Sequence, residues 1–155
     1  RVGVIATVGT VASGGYERAA REWAPDVDMT VAACPGFVEF VERGELDSPQ
    51  VHVLAERLLA PIRDAKVDTL LLGCTHYPYL ARTISDVMGR DVVLVSSADE
   101  TAFEIRDLLR SDSTARPTGS RTFLSSGDAN AFERLGRQLF GEELIGAEQH
   151  HWGAS

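Results

Sequence analysis

Short apolar runs alternate along the chain with stretches whose apolar residues recur at helical spacing. Strand-like runs occupy Val2–Ala6, Met29–Ala33, Thr69–Leu72 and residues 92–95, with a weaker one at 122–124. Between them, Tyr16, Ala19, Ala20 and Trp23 recur at i, i+3, i+4 and i+7, as do Val51, Leu54, Ala55 and Leu58. Leu80, Thr83, Ile84 and Val87 make a third stripe, Ile105, Leu108 and Leu109 a fourth, and Phe132, Leu135 and Leu139 the last. Stripes of this kind predict helices with one buried face. Ser48-Pro49 marks a helix start, with proline at the first helical position. Ser97-x-x-Glu100 reads as a capping box opening a helix over 100–109, and Asp128 is placed to cap the final helix. Strands separated by helices make βα units, and near-continuous apolar strands are buried on both sides. The fold class expected is therefore α/β, a mainly parallel sheet with helices on both faces. Residues 110–120, rich in Ser, Thr, Pro and Gly, read as a loop. The polar stretch 141–155 reads as an end that frays or docks on another segment.

Composition narrows the class without naming a function. At 155 residues the chain is long enough for one domain with a continuous core. Apolar residues at 44% and charged residues at 25% are the balance of a globular protein. No apolar run approaches the ~20 residues that span a bilayer, so no membrane partner is expected. The charge is −8, from 23 acidic against 15 basic residues. That excess repels phosphate backbones, so nucleic acid is not an expected partner either. Cys34 and Cys74 have no C-x-x-C or Cys/His cluster spacing, so no metal site is expected, and two cysteines make no disulfide framework. Free thiols fit a reducing compartment, and a cytoplasmic location is the expectation that follows. Arg1 leads straight into a core-strand pattern, so a preceding segment is expected as well.

In open α/β sheets ligands bind beyond the carboxyl ends of the strands. Four segments lie there: 7–13, 34–42, 73–78 and Ser96-Ser97. Gly73-Cys74-Thr75-His76-Tyr77-Pro78 carries the most chemistry. Gly73 permits a tight turn and Pro78 fits a first helical turn, which sets Cys74 near a helix N-terminus whose partial charge favours thiolate. His76 can give or take a proton two residues on, while Thr75 and unpaired backbone N–H groups can hold a carboxylate. Spacing alone leaves open the commoner fate of a free cysteine, a small buried hydrophobe.

The run 73–80, Gly-Cys-Thr-His-Tyr-Pro-Tyr-Leu, resembles the second-cysteine signature of glutamate racemases, in the aspartate/glutamate racemase superfamily. Residues 4–16 and 33–44 match two further blocks in order, and the likeness continues through 97–102 to Ser126-Gly127-Asp128. The resemblance implies a cofactor-independent racemase of two pseudo-symmetric α/β lobes with glutamate between them, homodimeric in full-length form. Each lobe brings one cysteine to opposite faces of the substrate α-carbon, one as thiolate base and the other as thiol acid. By motif, Cys74 takes the second catalytic cysteine's place, and Thr75 and His76 the substrate-contacting pair, His76 also assisting its thiol. Glu42 matches an acidic residue beside that histidine, and Thr7 or Thr10 a substrate-side threonine. Two positions depart from the pattern. The first loop reads Ala6-Thr7-Val8-Gly9-Thr10 where Gly-Thr-x-x-Thr is usual, and Glu39 stands where proline is usual.

The first lobe's Asp-Ser loop, Tyr-Gly loop and Cys-Asn-Thr motif do not occur in this sequence. The expected division is an α/β lobe over 1–125 carrying Cys74, then a return helix and flexible tail over 126–155 that packs on a missing N-terminal lobe. Cys34 also follows a strand, but it hangs from the same sheet edge as Cys74 and reads as packing before Phe37. His52 lies on a helix flank and reads as structural, and His150 and His151 read as solvated. Three alternatives stay open: a racemase of aspartate or hydantoin derivatives, an isolated binding or regulatory lobe, and cysteine-based hydrolysis. A phosphatase loop would need arginine about six residues after the cysteine, where this chain has Leu80.

Overall fold

The computed structural model describes residues 1–111, 120–151 and 153. Two compact units result, Arg1–Leu108 and Leu109–Ser155. In the first, strands β1 (Val2–Ala6), β2 (Met29–Ala33), β3 (Thr69–Leu72) and β4 (Val93–Ser96) form one sheet in the order β2-β1-β3-β4. All three pairings are parallel, as near-continuous apolar strands require. Helices α1 (Val8–Ala12) and α2 (Gly15–Trp23) join β1 to β2, and α3 (Phe37–Glu42) and α4 (Pro49–Asp64) join β2 to β3. After β3 come a 3₁₀ turn at Tyr77–Leu80 and helix α5 (Ala81–Met88). The first crossover runs outward from β1 and the second returns past it. With right-handed connections their helices cover opposite faces. Val4, Ile5, Ala6, Leu70 and Leu72 are accordingly buried to within 2% exposure.

Helix α4 packs so close to β1 that only glycine fits opposite it. A Cβ on Gly3 would lie 2.7 Å from Ile62 Cγ2. The helix starts where expected, with Ser48 Oγ accepting from Val51 N at 3.3 Å and Pro49 inside the first turn. Its buried face is turned by one notch from the expected stripe. Val51, Ala55, Leu59 and Ile62 are buried, whereas Leu54 and Leu58 are half-buried. Leu58-Leu59-Ala60 is apolar throughout, so periodicity leaves two registers open and contact with the sheet selects one.

Other boundaries shift for local reasons. The fourth strand lies one residue later than 92–95. Helix α6 spans Ser97–Ser111 instead of 100–109. Ser96 Oγ caps it by accepting from Asp99 N at 3.2 Å, because the Ser97 hydroxyl is spent donating to the Leu72 carbonyl at 3.1 Å. Two expected stripes are not buried. Trp23 in α2 is 81% exposed, and Phe103, Ile105, Leu108 and Leu109 in α6 are all exposed. Among the described residues, no helix is long and apolar enough to cross a membrane.

In the second unit, Asp128 caps α7 (Ala129–Phe140) by accepting from Asn130 N and Ala131 N, as expected. The weak fifth strand does not join the main sheet. It is β5 (Leu124–Ser125), paired in parallel with β6 (Glu148–Gln149). The tail expected to fray thus supplies a strand, and His150 is half-buried with its N–H on the Ser125 carbonyl at 2.8 Å. His151 is exposed. Most of the loop expected at 110–120 lies outside the described residues.

Candidate active site

The chain leaves β1 toward β2 on one side and later returns to β3 on the other. That reversal falls at the carboxyl ends of β1 and β3, the position where α/β folds form a crevice for ligands. Two segments feed it, the loop after Ala6 and the loop after Leu72. They are tied together at their start, since Gly73 N donates to the Ile5 carbonyl at 2.8 Å.

On the β1 side, Thr7 is the N-cap of α1. Its Oγ1 accepts from Thr10 N at 3.4 Å and pairs with Thr10 Oγ1 at 2.9 Å, so the two hydroxyls form one unit at the strand end. On the β3 side, Cys74 is half-buried and its Sγ lies 4.0 Å from His76 Nδ1. The opposite ring nitrogen of His76, Nε2, is 3.4 Å from Glu42 Oε1. The imidazole is thus held between a thiol and a carboxylate. Thr75 is exposed, and among the described residues the N–H groups of Thr75 and His76 donate to no protein acceptor. The turn that follows is 3₁₀ before it becomes α5, with Tyr77 N on the Cys74 carbonyl at 3.1 Å.

Glu42 reaches His76 because α3 is anchored to that turn. The Phe37 and Tyr77 rings meet edge to face, centroids 5.4 Å apart at 82°. The fully buried Tyr77 hydroxyl donates to the Cys34 carbonyl at 3.1 Å, and Thr83 Oγ1 donates to the Leu46 carbonyl at 2.9 Å just past α3. Replacing Tyr77 by Phe is expected to cost about 1–3 kcal/mol, because the buried Cys34 carbonyl keeps only the long 3.5 Å contact from Phe37 N. Urea denaturation would show this as a lower midpoint at unchanged slope.

Cys34 belongs to that packing. It is 1% exposed, and burial pushes its thiol up to about 12. It follows β2, two strands from β3, or about 10 Å away across the sheet. His52 is remote as well, its Nε2 on Asp47 Oδ1 at 2.8 Å with Arg82 alongside. The His52 hydrogen bond, ahead of the Arg82 charge, lowers the Asp47 carboxyl below its ordinary range. One residue at the crevice had no role in the sequence reading. Tyr16 packs over Gly73, where an added Cβ would meet its hydroxyl at 2.7 Å. The readable signal was the glycine directly before Cys74, a place where something approaches the backbone closely.

Fold and site together define a parallel α/β protein with a thiol, imidazole and carboxylate aligned at the switch point of its sheet. The chain belongs to the Asp/Glu/Hydantoin racemase family, whose model matches residues 1–104. It is 49% identical to the glutamate racemase of Beutenbergia cavernae over 93% of this chain and 53% of that protein. A crystal structure of a glutamate racemase from Bacillus anthracis superposes with a TM-score of 0.86 at 33% identity, over 97% of this chain and 57% of that one. The glutamate racemase of Francisella tularensis, solved in complex with D-glutamate, gives 0.85 at 25% identity, over 98% and 57%. The chain therefore spans about half the length of the relatives it matches.

Proposed function

We propose that this chain is the second-cysteine lobe of a glutamate racemase, with Cys74 exchanging a proton at one face of the substrate α-carbon. The observation that carries the reading is the Cys74–His76–Glu42 array opening on two uncommitted backbone N–H groups. Abstracting an α-proton leaves a carbanion, so the adjacent carboxylate must be gripped and its developing charge offset. The N–H groups of Thr75 and His76, with the Thr75 hydroxyl, supply donors for that carboxylate. His76 sits where it can take the thiol proton or return it, and Glu42 orients the ring. The Thr7–Thr10 pair offers further polar contact from the neighbouring strand end.

Inversion needs a second acid or base on the opposite face. Cys34 does not supply it, being buried and on the same sheet edge. A second lobe outside this sequence supplies it, the return helix α7 packing against that lobe and the whole acting as a cytoplasmic homodimer. No cofactor enters the scheme, and the D-glutamate produced feeds peptidoglycan precursors. Glutamate is preferred to aspartate or hydantoins because the relatives above are named glutamate racemases.

The test uses the 155-residue chain with L-glutamate in D2O. Loss of the α-proton NMR signal without change in circular dichroism is expected, since deuterium returns to the face the proton left. A Cys74→Ser chain should not exchange. D-glutamate appearing at enzymatic rates would refute the half-site assignment and bring Cys34 or a second copy back into the mechanism.

A further inference from the structure

Tyr16 extends this reading, and rests on Cys74 being the reacting thiol. It stands in the first turn of α2 with its ring laid over the end of β3. A Cβ on Gly73 would be 2.7 Å from the Tyr16 hydroxyl oxygen and 3.0 Å from its Cε2. Gly73 is itself held by its N–H bond to Ile5. The phenol is therefore seated against the backbone that delivers Cys74.

The groups around the sulfur differ in what they are free to do. His76 faces it at 4.0 Å but is engaged on its far side by Glu42. Tyr77 feels the Cys74 charge, yet its hydroxyl is committed to the Cys34 carbonyl. The Tyr16 hydroxyl has no hydrogen-bond partner among the described residues. Burial first, and the Cys74 charge second, raise the Tyr16 phenol above its ordinary value. It therefore stays protonated, and stays a donor, when the sulfur is ionised.

We propose that Tyr16 is a positioning residue for Cys74, its hydroxyl over Gly73 donating to the sulfur in the thiolate state. A thiol is a weak acceptor and a thiolate a strong one, so this bond forms with one protonation state and favours it. It also holds the sulfur toward the crevice.

The experiment measures iodoacetamide alkylation of Cys74 by peptide mapping between pH 6 and 10, in the wild-type chain, Tyr16→Phe and Tyr16→Ala. Tyr16→Phe keeps the ring and loses only the donor. At pH 7 it should react about three- to tenfold more slowly, with its profile displaced to higher pH and the same alkaline plateau. A Tyr16→Phe profile that overlays wild type, with only Tyr16→Ala altered, would reduce Tyr16 to packing and overturn the proposal. If Tyr16→Phe does not fold by circular dichroism, Gly73→Ala takes its place, since the new Cβ displaces the hydroxyl. The same displacement of the profile is then expected, and overlay again overturns the proposal. Wild-type chain alkylated at Cys34 before Cys74 would sink the reading of Cys74 itself. Normal Cys74 preference without a Tyr16 effect sinks the Tyr16 role alone.

Discussion

Serine in place of Cys74, in a protein carrying this lobe and its partner lobe, is expected to slow glutamate racemisation about 10²–10⁴-fold in both directions. That range corresponds to roughly 3–5 kcal/mol of barrier. A hydroxyl is far less acidic than a thiol, so it serves poorly as a base when Cys74 must abstract. It serves equally poorly when Cys74 must return the proton, because in the proposed two-base scheme each direction uses this sulfur once. The companion substitution Cys34→Ser should leave activity within a few-fold of wild type. Cys34 is tied to the site through its backbone, its N–H on the Ala6 carbonyl and its carbonyl on the Tyr77 hydroxyl, and serine preserves both bonds. Rates for both substitutions, followed by circular dichroism from each enantiomer, decide the matter. Equal losses would overturn the ranking of the two cysteines.

A second large effect is expected in the reactivity of the thiols themselves. In the folded chain at pH 7, iodoacetamide should modify Cys74 about 100-fold or more faster than Cys34. With its thiol raised to about 12, Cys34 holds a thiolate fraction on the order of 10⁻⁵ at pH 7, and at 1% exposure it offers no path for the reagent. Cys74 is half-buried at the mouth of a crevice, beside an imidazole that can accept its proton. Unfolding in guanidinium should erase the difference, which separates the effect of structure from that of local sequence. Mapping in which Cys34 is labelled first in native protein would contradict the assignment. The raised Cys34 value also fixes a direction for stability. Burial of the neutral thiol stabilises the fold fully below the unfolded thiol range, and that contribution drains away as pH rises toward about 12.

The sequence by itself determined the parallel α/β class, the four strands of the main sheet to within one residue, the caps at Ser48 and Asp128, and the loop carrying Cys74. These are local properties: strand burial on two faces demands continuous apolar runs, and caps and turns are written in neighbouring residues. It also paired Glu42 with His76, through a family pattern that already encodes a spatial contact. Only the tertiary structure decided the face of α4, because Leu58 and Leu59 are equivalent until a sheet is placed beneath them. Pairing of β5 with β6 was equally hidden, since a two-residue strand carries no mark of its partner. The exposed stripes of α2 and α6 were legible as amphipathic helices, but periodicity says which face wants burial and never whether a surface is there to bury it. Tyr16 came from the same source. Its place over Gly73 depends on how α2 crosses the end of β3, and only the folded chain brings Tyr16 and Gly73, more than fifty residues apart in sequence, into contact.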